Sequence, residues 1–99
     1  MDVSKSIRLC VDSGKVKLGS KNALKLALRG EPKLLIVASN TPRETVNDVK
    51  KAALDSGVPV LNFVGTGLDL GRACGKPFIV SVLAVLEAGD SDILQAVNK

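Results

Sequence analysis

Along the first forty residues the spacing of apolar positions changes three times. In VSKSIRLCVDSGK, Val3, Ile7 and Cys10 or Val11 recur at helical spacing, and the Ser13-Gly14 pair suits a helix end. KVKL then alternates charged and apolar residues, which predicts a brief edge strand with Val16 and Leu18 facing inward. In GSKNALKLALRG the helical period returns, with Ala23, Leu24, Ala27 and Leu28 on one face and Lys21, Lys25 and Arg29 on the other. The unbroken apolar run Leu34 to Ala38 is the pattern of a central strand covered on both faces.

NTPRETVNDVKKAALDSG carries the strongest helix signal. Thr41 is the expected cap, Pro42 the first helical position, and Glu44 the partner that completes a capping box. Val46, Val49, Ala53 and Leu54 share a face until Ser56 and Gly57 stop the helix. VPVLNFV predicts a second buried strand, and a strand, helix and strand in succession make a right-handed crossover with parallel strands. GTGLDLGRACGKP predicts a short helix over 68–74 with an exit turn at Gly75, Lys76 and Pro77, and FIVSVLAVLE a long strand. EAGDSDILQAVNK predicts a turn at Gly89, a cap at Asp90 or Ser91 and a last short helix carrying Ile93, Leu94 and Val97. The expected fold is α/β, one domain over residues 1–99: a three-layer α/β/α sandwich around a small mixed sheet of about four strands.

Composition narrows the function classes. With 45% hydrophobic and 24% charged residues and no low-complexity tract, the chain is globular rather than disordered. No apolar run approaches the ~18 residues that cross a bilayer, and MDVSKSIRLC lacks the apolar core of a signal peptide, so a cytoplasmic location is expected. Cys10 and Cys74 then read as reduced, packed thiols. Histidine is absent and there is no CxxC, which argues against a zinc site and removes the commonest general base. No metal or cofactor is expected.

Charge is one-sided. Residues 1–50 hold ten Lys and Arg against five acids, and residues 51–99 hold four against five. Such a surface favours a polyanion. Gly19, Ser20 and Lys21 supply free backbone N–H groups at a helix start, and Lys21 and Lys25 stack beside it although like charges one turn apart repel. Both an anion site and a capped, solvated basic helix fit these residues. Asn40, at the carboxyl end of the central strand, is placed to reach a base edge or to satisfy its own turn. LGRACGKPF joins Gly71 and Gly75 to the cations Arg72 and Lys76 and to Phe78, which either stacks on an unpaired base or opens the last strand in the core. VGTGLDLG has Leu70 where a dinucleotide fingerprint needs its third glycine, which counts against a small nucleotide-binding enzyme.

KLGSKNALK, LLIVASNTP, LDLGRACGKPF and EAGDSDIL together, in this order and at similar spacing, resemble the large-subunit ribosomal protein thirty family of archaea and eukaryotes. The resemblance covers nearly the whole chain. It implies membership of the kink-turn RNA-binding superfamily, a structural rather than enzymatic role, and a bent internal loop of ribosomal RNA as partner. Neighbouring ribosomal proteins would be further partners of a chain that is monomeric when free, with no membrane and no small-molecule substrate. The RNA surface it implies runs through Gly19, Ser20, Lys21, Asn22 and Lys25, the turn Asn40, Thr41, Pro42 and Arg43, and the segment Leu70, Gly71, Arg72, Gly75, Lys76 and Phe78. In the wider superfamily the positions of Lys21 and Asn22 usually read Asn then Glu, the pair that meets sheared G·A pairs. A free-standing kink-turn adaptor of a modification or recoding particle would share fold and face.

Overall fold

A computed structural model describes residues 3–89, 91 and 93. Its elements in chain order are α1 (Val3–Ser13), β1 (Lys15–Leu18), α2 (Ser20–Leu28), β2 (Leu34–Ala38), α3 (Arg43–Ser56), β3 (Val60–Phe63), α4 (Gly67–Ala73) and β4 (Val82–Glu87). The sheet runs β1-β4-β2-β3. β4 is antiparallel to both β1 and β2, whereas β2 and β3 are parallel, so the sheet is mixed as expected. The α3 crossover explains the parallel pair, since strands joined through a helix return in the same direction.

Alternation along the two central strands divides the core into two layers. Leu34, Ile36 and Ala38 of β2 and Leu83 and Val85 of β4 pack with Ile7 and Cys10 of α1, Leu70 of α4 and Cys74 at the C-cap of α4. Leu35, Val37, Val82 and Ala84 pack on the opposite face with Ala23, Ala27, Val49, Ala52 and Ala53 of α2 and α3. The three-layer sandwich follows directly: both faces of β2 and β4 are roofed by helices, and every residue of β2 is buried.

Several details differ from the sequence expectation. β3 is an edge strand rather than a buried one: among the described residues it pairs only with β2, Val60 and Leu61 are half-buried, and Asn62 is exposed. The capping box at Thr41 and Glu44 does not form. Pro42 is the N-cap of α3 and no side chain caps it, because the Thr41 hydroxyl instead donates to the Ser81 carbonyl at 3.1 Å. A capping box does form at α4, where Thr66 Oγ1 accepts from the Asp69 N–H and the Asp69 carboxylate accepts from the Thr66 N–H. The last strand begins at Val82, not Phe78, because 78–81 cross from α4 to the sheet as a loop. On α2 the inward positions are Ala23 and Ala27, and Leu28, about 100° further round the helix, is 68% exposed.

Cys10 and Cys74 are free and buried, as the sequence indicated. Burial raises both thiols, Cys74 to about 11 against a small opposing pull from Lys76. Ile93 is fully buried against α1's layer, and Ser91 Oγ accepts from the Ile93 N–H while donating to the Ser6 carbonyl. The rest of the expected last helix lies outside the described residues.

Candidate nucleic-acid interface

The carboxyl ends of β1, β2 and β3 and the amino end of β4 lie at one end of the sheet, and the candidate residues are tied there through the backbone around Ser81 and Val82. The Ser81 carbonyl accepts from the Ala38 N–H at 2.9 Å as well as from Thr41 Oγ1. Next to it, the Val82 carbonyl accepts from the Gly19 N–H at 2.9 Å. One extended stretch therefore fixes both the start of α2 and the β2–α3 turn.

Gly19 is the N-cap of α2, with φ 106°, a backbone state that L side chains avoid. Its N–H is spent on Val82, so it is not one of the free donors expected from sequence. Ser20 is the first helical residue and caps nothing. The donors left without intrahelical partners in this first turn are the N–H groups of Ser20, Lys21 and Asn22. Asn22 Nδ2 donates back to the Leu18 carbonyl at 3.2 Å, which holds the strand end against the helix. Lys21 and Lys25 are exposed beside this turn, and Arg43 stands exposed at the start of α3.

Asn40 sits between the two loops. Its Oδ1 accepts from the Gly67 N–H at 2.8 Å, which satisfies a first-turn donor of α4 and leaves the amide nitrogen directed away from that bond. Ser39 adds a second link, its N–H and hydroxyl both donating to the Gly65 carbonyl at 2.8 and 2.7 Å. The Val80 N–H in turn donates to the Gly67 carbonyl, bringing 78–80 beside the start of α4.

The segment Leu70 to Phe78 divides. Leu70 is fully buried in the core, so it offers no apolar face to a ligand. Gly71 is buried as well, and its open side is filled by the Phe78 carbonyl, not left for a nucleotide to approach. Phe78 is 50% exposed, which removes the alternative that it opens the last strand in the core. Val64 at 97% and Ile79 at 67% exposure flank the same loops. Sequence reasoning placed both inside strands; the only hint for Val64 was the Gly65-Thr66-Gly67 punctuation directly after it. Arg72 is exposed in the last turn of α4, whereas Gly75 lies under the Arg8 guanidinium of α1 and Lys76 borders β1, on the flank of the site.

The end of the sheet thus presents orphan N–H donors, exposed cations, a fixed amide and exposed apolar side chains. Phosphates suit the first two and unstacked bases the others. Among the described residues there is no group of three or more metal-ligating side chains, and no helix is long and apolar enough to cross a membrane.

Comparison with known proteins gives one family match, to the ribosomal protein L7Ae/L30e/S12e/Gadd45 family over residues 1–95. The chain is 48% identical to large ribosomal subunit protein eL30 of Methanocaldococcus jannaschii over 99 residues, covering all of this chain and 90% of that one. It is 43% identical to eL30 of Methanopyrus kandleri, covering 99% and 90%. Among solved structures, a 15.5 kD RNA-binding protein of Giardia lamblia matches with TM-score 0.70 and 29% identity over 95% of this chain and 75% of that one. A Bacillus halodurans protein of unknown function shares the fold, with TM-score 0.82 and 24% identity over 96% and 94%.

Proposed function

We propose that this chain, which belongs to the ribosomal protein L7Ae/L30e/S12e/Gadd45 family, is a structural protein of the large ribosomal subunit that holds a sharply bent internal loop of ribosomal RNA. The observation that carries the reading is the convergence of the α2 start, the β2–α3 turn and the loops around α4 on one end of the sheet, cations outward. The names of its relatives support the ribosomal setting. In this reading the chain works in the cytoplasm beside other ribosomal proteins, is a monomer when free, and performs no catalysis.

Phosphates of the bent strand sit on the first turn of α2, held by the N–H groups of Ser20, Lys21 and Asn22 and by the Lys21 and Lys25 ammonium groups. Asn40 presents its amide nitrogen to a base, with Pro42 and Arg43 beside it. Phe78, flanked by Val64 and Ile79, takes the face of an extruded base, a part that buried Leu70 cannot play. Gly71 and Thr41 act behind this surface by letting the loops pack. Arg72, Gly75 and Lys76 border it on the α1 side. The protein selects a bend that the RNA already visits, by binding that state more tightly than the open one.

The test is charge reversal. Lys21→Glu with Lys25→Glu is expected to abolish binding to a kink-turn RNA at moderate salt while the melting temperature stays near wild type, since both side chains are exposed. Unchanged affinity in the double variant would remove this face from the RNA site.

A further inference from the structure

β1 stands at one end of the sheet, paired along one side with β4. Among the described residues no strand pairs with its other side, so its outer N–H and C=O groups form an open edge. A groove of about 450 Å³ runs beside that edge. Val11, Val16 and Leu86 give it an apolar floor, and Lys15, Lys17 and Lys76 line it, with no acidic side chain among its walls.

Lysines on an edge strand ordinarily discourage unwanted pairing. That accounts for Lys15 and Lys17, which are exposed, but not for the third cation, which arrives from the α4–β4 loop, or for the apolar floor. A second copy of the chain is disfavoured as the occupant. Edge-to-edge pairing of two β1 strands would set Lys15 and Lys17 against the same lysines, and like charges directly opposite destabilise a sheet. A phosphate chain would meet the cations yet leave the floor and the strand edge unmatched. An extended peptide with acidic residues among apolar ones satisfies all three.

We propose that the free edge of β1 is a docking site for an extended acidic segment of a protein partner, which adds to the sheet as a fifth strand. Main-chain hydrogen bonds supply affinity, and the three lysines select carboxylate-bearing sequences. The site adjoins the proposed RNA surface at Lys76, which borders both, and does not depend on that proposal.

The experiment selects random ten-residue peptides, displayed on phage, against the full-length chain, then measures the enriched sequences as free peptides. The expected result is a consensus mixing Asp or Glu with apolar residues, slowed amide exchange confined to 15–18, and affinity at least tenfold weaker in Lys15→Gln with Lys17→Gln. Kink-turn RNA affinity of the same variant stays within about threefold of wild type, since a neutralised rim charge mainly shifts salt dependence. A consensus without acids, binding indifferent to the two substitutions, or protection elsewhere on the protein would overturn the proposal. So would a variant that loses RNA affinity tenfold while wild type selects no peptide, because the groove would then belong to RNA.

Discussion

Asn40 offers a substitution pair that separates holding the loops from touching RNA. Its Oδ1 accepts the 2.8 Å bond from the Gly67 N–H, and Gly67 is buried. Asn40→Ala removes the acceptor and leaves that donor unpaired, which costs about 1–2 kcal/mol. For a domain of this size each kcal/mol lowers the melting temperature by roughly 4–8 °C. Asn40→Asp keeps an oxygen at the same place, and a carboxylate at the start of α4 is favoured by the helix dipole, so stability should stay within about 0.5 kcal/mol of wild type. Its RNA affinity should fall nevertheless, because the donor is gone and a negative charge faces phosphate. A loss of about 1–3 kcal/mol corresponds to roughly 5- to 150-fold. Thermal unfolding by circular dichroism and calorimetric titration with a kink-turn RNA measure the two quantities. The reasoning fails if Asn40→Asp melts as low as Asn40→Ala, or if it binds RNA like wild type.

Three further outcomes follow from the same geometry. Gly71→Ala forces a Cβ onto the Phe78 carbonyl and should destabilise by about 1–3 kcal/mol; an unchanged melting temperature would show that the loop yields freely. Phe78→Ala removes a half-exposed ring and should cost about 1–3 kcal/mol of RNA affinity by titration with much less effect on stability; the opposite split would return Phe78 to a packing role. Cys74, raised to about 11 in the fold from 9.0, favours the folded state fully below pH 9, and that contribution is lost as pH rises through 11. The stability difference between wild type and Cys74→Ala, followed by denaturant unfolding, should therefore shrink between pH 9 and 11, and a constant difference would contradict it.

The sandwich was legible because each strongly periodic segment buries what its period demands. Leu34–Ala38 is apolar without interruption because β2 is roofed on both faces, and the α3 pattern sits between two strands that it makes parallel. What the sequence hid were competitions for the same polar group. Thr41, Pro42 and Glu44 satisfy the capping pattern, yet the hydroxyl goes to Ser81, forty residues away, because the loop must be anchored there. Gly19 likewise gives its N–H to Val82, which no local pattern signals. Apolar type also misled: Ile79 read as strand and Leu70 as surface, yet Ile79 is exposed because the chain enters the sheet only at Val82, and Leu70 is buried against the α1 layer. The basic face of α2 and the position of Asn40 needed no tertiary information, since helix period and strand end fix them.

The central claim is that RNA is held at the end of the sheet where Ser81 and Val82 tie the loops together. Zero-length photocrosslinking of the full chain to a kink-turn RNA, with crosslinked peptides identified by mass spectrometry, tests it most directly. The account predicts crosslinks within 19–25, 40–43 and 64–79. Crosslinks concentrated instead on the outer faces of α2 and α3, around Leu28 and Leu54, would contradict it.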